Sequence, residues 1–262
     1  MDSVRKKFLA VLAVALLATM ACAQGTGSTV GDLDNPSVAV VLHDKESYLA
    51  KQFAPELLPK RLVDAVVQSD SGRNGYKRIS IDAKILYDKA GAAVPQALES
   101  RDLYVDAGRG FVKQLVVTKA NGFEVSALFE LTYHGMLSLS AQTISVNATV
   151  MPRITNLSDF QYSDGAISGA HFSYQARAEL NGGTSVQVRY DCRAGAPYPA
   201  SQLNPDIQGQ AHDLNCQVLN ANGVAMSTMR YSYLEKYGLA IFMHSKTMAS
   251  EFSKTLAHFS AT

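Results

Sequence analysis

Tryptophan is missing from this sequence altogether, and cysteine is nearly so, with Cys22, Cys192 and Cys216 the only three. Without tryptophan, the usual stacking platform of carbohydrate-active sites is gone. The thiols form no CxxC pair, and His43, His134, His171, His212, His244 and His258 form neither HExxH nor HxH. No metal site and no cofactor are therefore expected. Asp32-Leu-Asp34-Asn35 could touch calcium but lacks EF-hand spacing. Nucleophile motifs fail as well, because Gly165-Ala-Ile-Ser-Gly169 sets its serine one place late for GxSxG. A hydrolase with a fold-assembled carboxylate pair stays open.

Charge of one sign is also lacking. Lys and Arg number 24 against 23 Asp and Glu, a net charge of +1. Nucleic acid is thus not an expected partner. Long apolar runs are scarce too. The longest, Phe8–Leu17, falls well short of the roughly 20 residues that span a bilayer. It follows Arg5-Lys-Lys7 and precedes Ala21-Cys22-Ala23, so residues 1–23 read as a signal peptide and no transmembrane segment is expected. Loss of that leader removes three basic residues and one acidic residue, which turns +1 into −1.

Two processing routes stay open. Cleavage after Ala23 would discard Cys22 and start the chain at Gln24. Alternatively, Thr19-Met-Ala-Cys22 resembles a bacterial lipobox with Thr where Leu is usual, which would make Cys22 a lipid attachment site. Residues 24–36 are small and polar, a flexible linker, and 37–262 read as a single β-rich domain. The expected location is exported, periplasmic or tethered to the outer membrane of a Gram-negative cell.

What the chain does have is alternation. Phe172, Tyr174, Ala176, Ala178 and Leu180 share one strand face, Asn181-Gly-Gly-Thr184 supplies a turn, and Val186, Val188, Tyr190 and Cys192 return. A Cys192–Cys216 disulfide would close the loop after this hairpin, with a chain-entropy gain of roughly 3.5 kcal/mol. Asn121-Gly122 predicts a second hairpin between 111–118 and 123–133, with Phe123, Val125, Ala127, Phe129, Leu131 and Tyr133 on one face. Past the His134-Gly135 turn the apolar phase slips from Leu137, Leu139 and Ala141 to Ile144, Val146, Ala148 and Val150, which predicts a bulge or a break near Gln142-Thr143. Strands are also read at 79–87, 103–107, 227–233 and 239–245.

Three segments break from that pattern. Val38–Leu42 reads as a buried first strand. Lys45–Gln68 takes helical spacing, divided by Pro55 and Pro59. Met248, Phe252, Leu256 and Phe259 suggest a C-terminal helix. The sum is a mainly β chain with minor α: a large curved antiparallel sheet, half-barrel or sandwich of about nine to eleven strands, with an early helical insertion and that last helix.

The run Cys192-x-Ala-Gly195, Asn204-Pro-x-Ile-x-Gly209, Leu214-x-Cys216 and Tyr231-x-Tyr-Leu-x-x-Tyr-Gly238 resembles an arrangement in uncharacterised exported proteobacterial proteins. That resemblance implies an exported, stapled domain and no mechanism. A curved sheet wrapping helices is similar, at the level of fold alone, to the LolA/LolB-type lipoprotein carriers.

Few residues invite a functional reading. His212-Asp213 falls inside the stapled loop, where Asp213 is expected to form a turn rather than to act in catalysis. Met229, Tyr231 and Tyr233 share a strand face that packs the core or, if partly uncovered, lines a groove for an apolar ligand. The expected function is a non-catalytic envelope protein, a binding or interaction module whose partner is another envelope protein. The alternative is a carrier of lipid or another apolar molecule held between sheet and helices.

Overall fold

The computed structural model describes residues 36–67, 75–164, 170–179 and 185–262. The leader with Cys22, Asp32–Asn35, the Gly165–Gly169 motif, Leu180 and the 181–184 turn lie outside these residues.

Twelve antiparallel strands close into a barrel. They are β1 (Arg78–Lys89), β2 (Gln96–Asp106), β3 (Phe111–Ala120), β4 (Phe123–Tyr133), β5 (Leu137–Ser145), β6 (Thr155–Asp164), β7 (His171–Glu179), β8 (Ser185–Ala194), β10 (Gln210–Asn220), β11 (Ala225–Leu234), β12 (Leu239–Thr247) and β13 (Ser250–Ala261). Neighbours in sequence pair throughout, except that β8 pairs with β10 and β13 returns to β1. The two-residue β9 (Tyr198–Pro199) flanks β10. Closure raises the strand count above the nine to eleven expected and gives each of these barrel strands a paired neighbour on both sides. The tight turns follow from local chemistry: Asn121 and Gly122 take φ of 51° and 81°, and His134 and Gly135 take 51° and 73°, the left-handed pair that two-residue hairpins favour.

Two expectations fail, each for a physical reason. The C-terminal helix is instead β13. Leu256 pairs with Ala83 and His258 with Asp82, so Ala257 is bulged out. The bulge flips the strand's parity, and Phe252, Leu256 and Phe259 all become buried, a spacing of four and three that imitates a helix face. Conversely, Val38–His43 is helix α1, capped by the Ser37 side chain on the Val40 amide. Val41 is buried and Val38 and Leu42 half-buried while Ala39 and Val40 are exposed, so a continuous apolar run conceals a helical stripe.

The bulge expected near Gln142 sits a little earlier, where Leu131 pairs with Ser140 and Thr132 with Ser138. β5 then ends at Ser145, leaving Val146, Ala148 and Val150 in the following loop.

Helices α2 (Lys45–Gln52) and α3 (Lys60–Val67) match the expected division at the two prolines. Phe53 stacks on Phe129 with centroids 6.0 Å apart, and Tyr48 meets the same ring edge-on at 5.2 Å. The Tyr48 hydroxyl donates to Gln142 Oε1, Lys113 Nζ to Ala50 O, and Arg78 makes two 2.8 Å bonds to Glu46. The helices thus cover the Phe129 face of β4.

Two seams of the barrel are weakly laddered. β5 and β6 pair only at Ser140–Asn156 and Ala141–Thr155, and α3 lies against β6 there, with the Tyr162 hydroxyl donating to Val66 O. β12 and β13 pair only across 244–246 and 251–253. Where they part, Ile241, Met243, Leu256 and Phe259 pack with Tyr76 and Tyr237 in one cluster.

The disulfide forms as expected between Cys192 and Cys216, which face each other across the β8–β10 pair. It fixes the return of the chain after the long Gly195–Gly209 excursion.

Candidate functional site

Register defines which side chains point inward. Gln114 pairs with Glu130 and Val116 with Leu128, Tyr174 with Tyr190, Tyr190 with Val218, and Tyr231 with Phe242. All of these side chains, contributed from around the ring, line one internal cavity. It offers about 130 Å³ to the centres of water molecules, room for on the order of ten waters or roughly 300 Å³ of liquid. That sits at the lower edge of small-molecule sites. Lining from every barrel strand except β2 places the void inside the barrel, on the opposite face of β4 from Phe129. The expected site between sheet and helices is packed instead by Phe53, Phe129 and Tyr48.

The wall is mainly aliphatic and aromatic, with Val188, Leu157 and Phe252 beside the residues above. Against this background the polar groups stand out. Glu130 is 7% exposed and accepts a 2.8 Å hydrogen bond from Ser138 Oγ. Burial pushes its carboxyl up to about 7, and the Ser138 bond opposes that rise. Burial also raises Tyr190, to about 12, with the Glu130 charge adding to it. Tyr174 and Tyr231 are held well above the ordinary phenol value, again chiefly by burial.

Farther along the same face, Lys254 Nζ donates to Asp102 Oδ2 at 2.5 Å, with side chains 4% and 0% exposed. The Tyr104 hydroxyl lies 3.4 Å from that oxygen. Gln114 Oε1 and Asp102 Oδ1 are buried acceptors with no hydrogen-bond partner among the described residues. No local signal marked Glu130 in the sequence. Its neighbours Phe129 and Leu131 supply the apolar phase of β4, so the even positions read as a solvent face. Both faces are covered, one by helices and one by the barrel's own far wall.

The structure separates the residues singled out in the sequence. Met229 and Tyr231 line the cavity. Tyr233, on the same strand, packs against His212 and His134 with centroids 5.2 and 6.3 Å away. His212 and Asp213 lie in β10 rather than in a loop, and their side chains diverge. His212 Nδ1 is 3.3 Å from Glu235. Asp213 forms no turn; it accepts from Tyr198, Ser232 and Arg230 at 2.8 to 3.0 Å. His171 and His244 pair with Asp191 and Glu251. Among the described residues no group of three His, Cys, Asp or Glu could hold a metal ion, and no helix is long and apolar enough to cross a membrane.

The fold and cavity together define the class: a closed antiparallel β-barrel with an apolar interior void. No family model and no curated protein matches the sequence. Among solved structures, the chain is similar to a DUF1329 family protein from Desulfovibrio piger, at 6% identity and a TM-score of 0.40, over 74% of this chain and 88% of that one. It is also similar to a domain from Vibrio parahaemolyticus named for outer membrane lipoprotein sorting, at 8% identity and a TM-score of 0.39, over the same shares. Both likenesses are distant and concern the fold.

Proposed function

We propose that this barrel is a non-catalytic carrier that holds an apolar or amphipathic molecule in its interior. The observation behind the reading is the void itself. Well-packed interiors leave few spaces larger than one water, and a space of this size bordered by Val116, Leu128, Val188, Val218, Phe242 and Phe252 forfeits their dispersion contacts unless something fills it. Met229 and Tyr231 act in this reading as wall residues, and Tyr233 as a buttress behind them. The disulfide and the charged-then-apolar leader support an oxidising compartment outside the cytoplasm, with the barrel either soluble from Gln24 or tethered through Cys22.

Native mass spectrometry of the protein, gently purified from its own host's envelope, tests this. The expected spectrum carries an added mass that leaves only on unfolding, and it also reads the processed N-terminus. A bare polypeptide mass from several gentle preparations would overturn the carrier reading and leave an interaction module.

A further inference from the structure

Building on that reading, we infer that the molecule held in the cavity carries an ammonium group, which Glu130 and the tyrosine rings around it receive. Three observations converge. The Glu130 carboxylate lies in the cavity wall, and Ser138 is the one hydrogen-bond donor it has among the described side chains. Lys254, the single cation among the described residues lining the cavity, is committed to Asp102, so Glu130 has no counter-charge among those wall residues. Beside it, Gln114 presents an acceptor oxygen with no partner among the described residues.

The surroundings suit a cation more than a neutral donor. Tyr174 and Tyr190 stack with centroids 4.6 Å apart, Tyr231 meets Phe242 edge-on at 5.3 Å, and all four rings border the cavity. Aromatic faces around a carboxylate are a recurring receptor for ammonium groups, because ring quadrupole and anion act together once water is gone. A carboxylate-headed ligand would set two anions against each other in a low-dielectric space, at a heavy electrostatic penalty. The remaining wall is apolar, which calls for a hydrocarbon body of roughly ten heavy atoms by the volume argument above.

The test uses the full-length mature protein with the fluorescent dye 1-naphthylamine, uncharged at about pH 8 and of the size the void admits, as reporter. Octylammonium, octanol and octanoate compete for it. Octylammonium is expected to displace the dye at a concentration at least about tenfold below that of octanol, with octanoate weakest. Glu130→Gln should bring octylammonium to the octanol level while the dye still binds. The wild-type ranking decides the matter even if that variant does not fold. If the dye binds but octanol or octanoate competes as well as octylammonium, the ammonium inference fails and the apolar carrier stands. If the dye does not enter at all, the carrier reading falls and the inference with it.

Discussion

The barrel interior holds two regions built from the same kinds of residue and packed in opposite ways. Around Ile79, Ile81, Tyr104 and Val112 the inward side chains meet others from β11, β12 and β13 in one continuous cluster, and none of these four is measurably exposed. Around Val116, Leu128, Val188 and Val218 the wall encloses the void. Backbone geometry does not separate them, because β1, β3 and β4 pass through or beside both. What differs is the filling. Tyr76 and Tyr237 push large rings into the first region, whereas the rings of the second, Tyr174, Tyr190, Tyr231 and Phe242, stand along its wall and leave a void between them. Where the two meet stand Asp102, Gln114 and Lys254.

The largest test of that contrast falls on the border. Replacing Lys254 by Met leaves Asp102 buried with only a long bond to Tyr104, and should cost about 3–5 kcal/mol, the usual result of stripping one partner from a buried pair. Adding Asp102→Asn should recover most of the loss. Urea midpoints of the single and double variants decide it. A single variant within about 1 kcal/mol of wild type would mean that Asp102 is not held dry, as such a group must otherwise be costly.

Next in size is the direct comparison of the two regions. Ile81→Ala opens a hole in a filled cluster and should cost about 3–4 kcal/mol, combining lost transfer energy with a new cavity. Leu128→Ala removes a side chain of the same size from a wall that already borders empty space. It should cost about 1–2 kcal/mol, because the cavity term is largely present beforehand. The reverse change sharpens the contrast: Leu128→Phe should be tolerated and should exclude the naphthylamine dye, whereas Ile81→Phe should cost about 1–3 kcal/mol through overpacking. Equal costs at the two alanine positions would mean that the void is not open in solution.

That the two regions share an alphabet explains what the sequence could and could not show. The alternation in β1, β4, β7 and β8, the Asn121-Gly122 hairpin and the Cys192–Cys216 pair were all legible, because each is set by neighbours in the chain or by a covalent bond. Closure was not, since it depends on how β13 meets β1, a contact between the two ends of the domain. The strand β13 was misread for a definite reason: a bulge at Ala257 gives Phe252, Leu256 and Phe259 the spacing of a helix. Met229 and Tyr231 were picked out by their aromatic stripe, which carried them to the cavity wall. Glu130 was passed over because its apolar neighbours point at α2, not at solvent, and only the tertiary fold shows that both faces of β4 are covered.

A further expected effect concerns Glu130 and depends on pH. Its folded-state value of about 7 lies above the usual 4.5, so the native state holds a proton that the unfolded chain releases between those limits. The contribution of this group to stability is therefore full below about pH 4.5 and is lost as pH rises through 7, with a ceiling near 3 kcal/mol. Glu130→Gln keeps a neutral side chain of the same shape at every pH. The variant should match wild type near the acid limit and pull ahead by about 2–3 kcal/mol towards pH 8, as read from urea midpoints measured at both ends. The groups facing this carboxyl, Ser138, Gln114, Tyr190 and Tyr231, carry no charge in that window, and Lys254 stays bound to Asp102, so the difference isolates Glu130. Octylammonium added at pH 8 should narrow the gap by stabilising wild type more than the variant. A gap that ignores the amine would make Glu130 a buried group with no ligand to answer it, and the hollow region a void like any other.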